Sequence, residues 1–160
     1  MIDWILIGIA LAAGGGQGGD ATTAEAADMG AAMQFVAEDQ TPSGKFTTAT
    51  EVKQILTMTK GNWVAVREYD GQDLLYVTHL MSWRCGLHQM RYSLNGGPMQ
   101  TWDMPPCLID TATPNAIKTE DGLPFIAQPL GSIQSVSIEL LYDDLSEDMA
   151  EFQRNEVLMP

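Results

Sequence analysis

The hydrophobic pattern of this chain is most regular near its carboxyl end, where Val136, Ile138 and Leu140 alternate with serine and glutamate residues. A period of two predicts a half-buried β-strand, because successive side chains of a strand point to opposite faces. Apolar runs that are rich in β-branched and aromatic residues predict further strands over residues 63–69, 74–83, 87–94 and 99–104.

Turn signals separate these runs. Asp70-Gly71 is a strong signal for a two-residue hairpin, and Asn95-Gly96-Gly97 predicts a three-residue hairpin loop. The acidic segment 143–148 predicts a turn into a last strand over about 150–159. An amphipathic helix is the alternative there, through Leu145, Met149 and Phe152.

The order of these elements predicts a mainly β protein. Successive short hairpins are typical of an antiparallel β-sandwich, here of the immunoglobulin or fibronectin kind. One short N-terminal helix is expected before the first strand, from about Thr48 to Thr57, because Val52, Ile55 and Leu56 share one helical face.

Three parts of the chain differ in composition. Residues 1–19 combine a signal-like apolar segment with a glycine-rich linker, although no basic residue precedes the apolar run; a buried strand or helix of the domain is the alternative. Residues 20–44 are alanine-rich and predict a helix or a tether. Residues 45–160 carry the strand signals and form the expected antiparallel β-domain.

The two cysteines fit this hairpin arrangement. The loop at residues 95–97 pairs Tyr92 with Gln100, and the same register sets Cys85 opposite Cys107. Opposed positions of an antiparallel pair lie near disulfide range, so a Cys85–Cys107 disulfide is expected. A disulfide and the apolar amino end favour a periplasmic or secreted protein, whereas two buried thiols in a cytoplasmic protein are the alternative.

Charge narrows the choice of partners. The formal net charge is −13, and the acids are concentrated in residues 1–44 and 119–160, with a nearly neutral middle. No basic stripe is available to neutralise phosphates, so nucleic acid is excluded as a partner. A protein partner is expected, and the acidic ends favour a basic or metal-bearing one. Contact with a membrane is expected only through the N-terminal segment, if that segment is not cleaved.

Two His-x-Met triplets provide the candidate metal ligands. A tight turn at residues 83–86 sets His79 opposite Met90 and Met81 opposite His88. Two imidazoles and two thioethers suit Cu(I), because soft sulfur ligands select that ion. Ordinary core packing of the methionines is the alternative. A zinc site is a second alternative, formed by His79, Cys85, His88 and Cys107.

Two further groups of residues invite a functional interpretation. Trp63, Trp83 and Trp102 predict either core packing or an aromatic surface for sugars or peptides. The carboxylates at 143, 144, 147 and 148 suit Ca²⁺, but they lack the spacing of a calcium loop, and a solvated turn is the preferred interpretation.

Three segments carry a family resemblance: Lys60-Gly61-Asn62-Trp63-Val64-Ala65-Val66-Arg67-Glu68-Tyr69, Ser82-Trp83-Arg84-Cys85-Gly86 and Val157-Leu158-Met159-Pro160. In these segments the chain resembles an uncharacterised family of small exported bacterial β-rich proteins, over about residues 41–160. The resemblance implies export and brings no known activity, cofactor or site residue.

Nucleophile elbows, His-Glu-x-x-His motifs and phosphate-binding loops are missing from the sequence. The sequence therefore predicts a non-enzymatic exported module for binding or assembly, without a cofactor. A periplasmic copper- or zinc-binding protein that uses the His, Met and Cys residues is the alternative function.

Overall fold

The computed structural model describes residues 35–160, and the body of the protein within that range is 37–160. The signal-like segment and most of the alanine-rich segment lie outside the described residues. Within the described part of the chain, the regular elements are α1 (Ala49–Met58), β1 (Ala65–Tyr69), β2 (Gln72–Tyr76), α2 (Thr78–Met81), β3 (Leu87–Leu94), β4 (Gln100–Thr101), β5 (Phe125–Pro129), β6 (Ser135–Tyr142), β7 (Glu147–Gln153) and α3 (Arg154–Val157).

The strands form two antiparallel sheets. The first sheet has the order β1-β2-β5 and the second has the order β4-β3-β6-β7. Both sheets contribute to one hydrophobic core, for example through Val66 and Leu75 of the first sheet and Met90, Ile138 and Leu140 of the second. The mainly β, antiparallel prediction is therefore confirmed.

Helix α1 begins where the local sequence provides its caps. Thr48 is the N-cap, and its hydroxyl accepts a hydrogen bond from the Glu51 backbone N–H. The Thr48 hydroxyl also donates to the Glu51 carboxylate, at 2.9 Å. Val52 and Leu56 of α1 are fully buried in the core, so the helix occupies nearly the interval that the periodicity predicts.

Two hairpin turns form as predicted. Asp70 and Gly71 both have positive φ, 54° and 74°, as a type I′ turn requires, and Tyr69 pairs with Gln72. After the loop at residues 95–97, Tyr92 pairs with Gln100 in the predicted register. Strand β4 nevertheless contains only two residues, so the prediction of a strand over 99–104 is too long.

Two predicted strands have other bounds in the structure, and one observed strand was not predicted. The run 74–83 is not one strand, because β2 ends at Tyr76 and helix α2 follows. The last strand covers Glu147–Gln153 and is followed by helix α3, so both predictions for the carboxyl end were wrong in their bounds. Strand β5, which pairs with β2, has no counterpart in the predictions.

Gly86 lies where α1 and the turn at residues 84–86 come closest. A Cβ atom at Gly86 would lie 2.4 Å from Val52 Cγ2 and 2.9 Å from the Thr48 carbonyl oxygen. Replacing Gly86 with alanine is therefore expected to lower the free energy of unfolding by about 1–3 kcal/mol, since the helix must move away. Thermal unfolding followed by circular dichroism measures this loss.

Gly61 provides the matched control for that substitution. A Cβ atom at Gly61 meets nothing within 4 Å. The Gly61→Ala variant should unfold within a few degrees of the unmodified protein. Equal melting temperatures for both variants would contradict the close approach at Gly86.

Candidate functional site

The outer face of the first sheet carries a largely apolar cleft. Val66 points into the core, so its neighbours Ala65 and Arg67 lie on the opposite face of β1. A cavity of about 380 Å³ opens there, which we call the β1 cleft. Its walls include Asn62, Trp63, Ala65, Arg67, Tyr76, His79 and Met159.

His79 of helix α2 provides a polar group in the wall of the β1 cleft. The Thr59 hydroxyl donates to the Ile55 carbonyl at 2.7 Å, so its oxygen accepts from His79 Nε2, 2.8 Å away. This network assigns the proton to Nε2 and leaves Nδ1 as an acceptor. Burial lowers the pKa of His79, so the imidazole is neutral at pH 7.

Arg67 provides the positive charge of the β1 cleft. Its guanidinium lies over the Tyr69 ring, with 4.6 Å between Cζ and the ring centroid. Among the described residues no carboxylate forms an ion pair with Arg67, although the chain carries a formal net charge of −13. An arginine beside an apolar cleft, without an acidic partner among residues 35–160, is available to an anionic ligand.

The predicted metal ligands do not meet through the expected hairpin. His79 and Met81 lie on helix α2, whereas His88 and Met90 lie on β3, whose partners are β4 and β6. The pairing of His79 with Met90, and of Met81 with His88, is therefore wrong. Met81 and Met90 are fully buried in the core, and the two histidines line different clefts.

His88 lines a second cleft, of about 440 Å³, together with the two cysteines and Asp143. Asp143 is buried and accepts hydrogen bonds from the Ala49 backbone N–H and from the Gln40 side chain, each at 2.8 Å. Burial raises the pKa of this carboxyl group. Asp143 therefore holds the first turn of α1 and the segment around Gln40 beside this cleft.

Cys85 and Cys107 form a disulfide, with their Cα atoms 5.1 Å apart. The predicted pairing of the two cysteines is confirmed, but the ribbon that was expected to bring them together is absent. Cys85 lies in the 3₁₀ turn Arg84–Gly86, and Cys107 lies in an irregular segment beyond β4. In this disulfide-bonded state neither cysteine offers a thiolate to a zinc ion, and the zinc alternative stays a prediction for the reduced protein.

Lysines of the chain neutralise part of the charge of the acidic turn. Lys53 pairs with Asp144 at 2.7 Å, and Lys60 pairs with Asp148 at 2.8 Å. Hydrogen bonds from Lys53 and Ser146 outweigh the effect of burial and lower the pKa of Asp144 to about 2. Two of the four carboxylates of this turn therefore have a lysine of the chain as their partner.

The tryptophans divide between core and surface. Trp63 and Trp102 are 0% and 5% exposed, so the interpretation as an aromatic surface was wrong for these two. Trp83 is only partly buried and packs edge-on against Phe46, with 5.2 Å between the ring centroids. Sequence reasoning missed Arg67, although the inward Val64 and Val66 already place it on the outer face.

No family model, curated protein sequence or solved structure matches this chain. The resemblance to a family of small exported proteins therefore stays a prediction. None of the helices within residues 35–160 is both long enough and apolar enough to cross a membrane.

Proposed function

We propose that this chain is a non-enzymatic, exported binding module whose ligand occupies the β1 cleft. The observation that carries the proposal is Arg67, a guanidinium without an acidic partner in the described residues, at the mouth of an apolar cavity. In a protein of net charge −13, such a cation is the natural contact for an anionic group of a ligand.

The cleft residues suggest the ligand's other groups. Neutral His79 presents Nδ1 as a hydrogen-bond acceptor, which calls for an N–H or O–H donor. Tyr76 and Met159 supply apolar surface. A ligand with an apolar body, one carboxylate and one donor matches all three features, and N-acetylphenylalanine is a simple molecule of this class.

Two features support export and the sandwich architecture that goes with the proposal. A disulfide between Cys85 and Cys107 is stable in an oxidising compartment such as the periplasm or the cell exterior. Two antiparallel sheets that share one core support a sandwich of the immunoglobulin or fibronectin kind, a fold that commonly serves binding.

Three related compounds test the ligand's chemistry. N-acetylphenylalanine should bind more tightly than its neutral amide, which lacks the carboxylate, and than 3-phenylpropanoate, which lacks the N–H donor. A charge-assisted hydrogen bond contributes about 1.5–3 kcal/mol, so the amide should bind about tenfold or more weakly. Isothermal titration calorimetry measures the three affinities.

Variants assign the effect to the two cleft residues. Arg67→Met should bring N-acetylphenylalanine and its amide to equal affinity, and His79→Phe should remove the advantage over 3-phenylpropanoate. His88→Ala, in the other cleft, should leave all three affinities unchanged. The proposal fails if the Arg67 variant still prefers the carboxylate, and a stoichiometric Cu(I) adduct lost in His88→Ala would favour the copper hypothesis instead.

A further inference from the structure

A third cleft, of about 420 Å³, lies between two loops at the side of Trp83. One wall is the segment Gly44–Phe46 and the other is the segment Ala112–Ala116, with Ser82 and Trp83 between them. We call it the Trp83 cleft. It shares no lining residue with the β1 cleft, so an inference about it is independent of the proposed function.

The first wall is held in place by one carboxylate. Glu51 accepts hydrogen bonds from the backbone N–H groups of residues 43, 44, 46 and 47, at 2.9–3.3 Å. Although partial burial opposes the effect, hydrogen bonds from the Thr48 hydroxyl and these backbone groups lower the pKa of Glu51, so it is ionised at neutral pH. The loop is thus fixed before any ligand arrives.

The second wall is tied to the first and to the core. Asn115 Nδ2 donates to the Phe46 carbonyl at 2.9 Å, and Asn115 Oδ1 accepts from the Cys85 backbone N–H at 2.8 Å. Arg84, which is buried, donates to the carbonyls of Asn115 and Ala116. Both walls therefore have defined positions, as a preorganised binding surface requires.

The exposed aromatic contact in this cleft is Phe46. The residue is 41% exposed, has a φ of 59° and stands edge-on against the Trp83 ring. A positive φ is uncommon for a large non-glycine residue, so the loop contacts hold Phe46 outward against its own backbone preference. The indole N–H of Trp83 is buried and has no hydrogen-bond partner within the described residues.

The polar groups that remain favour a peptide over a sugar. The Asn115 amide is already engaged, and the Ser82 hydroxyl donates to the Thr78 carbonyl. A sugar needs several directed hydrogen-bonding groups, and apart from Thr113 the neutral polar side chains of this lining are already engaged. Lys45 is the charged residue of the lining, and no ion pair within the described chain neutralises it.

We propose that the Trp83 cleft docks an extended peptide segment of a partner protein, which packs an apolar side chain against Phe46 and Trp83 and sets an acidic side chain beside Lys45. Charge complementarity at Lys45 selects the acidic neighbour. The module thereby has a protein-docking site separate from its small-ligand site.

Two synthetic heptapeptides provide the test. Both are acetylated, amidated and built around a central Leu-Pro pair, which is flanked by aspartates in one and by lysines in the other. The indole N–H signal of Trp83, assigned by the Trp83→Phe variant, is followed in ¹⁵N–¹H correlation spectra of the full chain. The aspartate peptide should shift this signal and bind about threefold or more tightly than the lysine peptide.

Variants with exposed side chains keep the test independent of folding. Phe46→Ser should weaken the aspartate peptide about tenfold. Lys45→Glu should reverse the preference between the peptides, whereas Tyr69→Ser, another exposed aromatic, and Arg67→Met should change neither affinity. An unmoved Trp83 signal at millimolar peptide, or full affinity in Phe46→Ser, would overturn the docking site and leave the β1 cleft unaffected.

Discussion

Replacing Asp73 with alanine is expected to lower the free energy of unfolding by about 3–5 kcal/mol, because the change leaves a nearly buried positive charge poorly compensated. Asp73 is 0% exposed, and its carboxylate accepts from Arg154 at 2.6 and 3.1 Å. It also accepts from the backbone N–H groups of Gly131 and Ile133, each at 3.0 Å. Urea unfolding of the variant measures the loss.

A second ion pair of Arg154 provides the control for this prediction. Arg154 also contacts Glu68 at 2.7 Å, but the Glu68 side chain is 54% exposed. Solvent screens an exposed pair, so Glu68→Gln should cost less than about 1 kcal/mol. Similar losses in the Asp73 and Glu68 variants would mean that burial does not determine the strength of this cluster.

The pH dependence of unfolding provides a second test of the role of Asp73, with the variant Asp73→Asn. Hydrogen bonds from Arg154, opposed in part by burial, lower the pKa of Asp73 to about 2. A carboxyl group with a lowered pKa stabilises the fold fully above its unfolded value of about 3.9 and loses that contribution as the pH falls to 2. The Asp73→Asn variant should lose less stability than the unmodified protein across this pH interval.

Local signals were sufficient for part of the fold. The Thr48 cap starts α1, the Asp70-Gly71 turn closes the first hairpin, β3 has the predicted bounds, and β6 contains the alternating residues that predicted a strand. Each of these features depends on residues within a few positions of one another. Such features can be deduced without knowing which strands become neighbours.

Helix α2 shows where the same reasoning failed. Val77, Leu80 and Met81 are all fully buried, at the spacing i, i+3 and i+4 of one helical turn. In sequence they continue an apolar run that begins in β2, so length and β-branched content suggested a strand. The error carried over to the proposed copper ligands, because His79 and Met81 then seemed to face β3.

The disulfide was predicted correctly for a partly incorrect reason. The Tyr92–Gln100 register is set locally by the loop at residues 95–97. The ladder ends after Trp102, whose N–H donates to the Met90 carbonyl, and Pro105 and Pro106 have no N–H with which to resume it. Long-range hydrogen bonds from Arg84 to backbone carbonyls hold the segment that contains Cys107 near Cys85. No sequence pattern predicts those hydrogen bonds.

The candidate site was only partly predictable. Alternation along β1 places Arg67 on the outer face, but its lack of an acidic partner within residues 35–160 depends on where the carboxylates of the folded chain lie. His79 was singled out as a possible metal ligand, whereas its neutral tautomer depends on Thr59, twenty positions away. Which residue pairs with Arg67 or with His79 is decided by the tertiary structure and not by the local sequence.

Replacing Arg84 with methionine is expected to lower the free energy of unfolding by about 3–5 kcal/mol and to release the segment after β4. The guanidinium donates to the carbonyls of Met81, Pro105, Pro106, Asn115 and Ala116, at 2.8–3.3 Å. Arg84 is 2% exposed, and burial lowers its pKa because the charged guanidinium is removed from water. The dipoles of these carbonyl groups offset that cost and stabilise the buried charge. Urea unfolding gives the loss, and limited proteolysis should show new cleavage within residues 105–116.

Two further substitutions separate the shape of the Arg84 side chain from its charge. Arg84→Lys keeps the charge but cannot reach five carbonyls on different sides, so it should lose most of the same stability. Arg91→Met removes a half-exposed arginine that pairs with Glu139 and should cost less than about 1 kcal/mol. If Arg84→Lys instead folds as stably as the unmodified protein and resists cleavage at 105–116, a positive charge at this position is sufficient to hold the segment 105–116. The planar guanidinium would then not be what brings Cys107 to Cys85 and fixes the second wall of the Trp83 cleft.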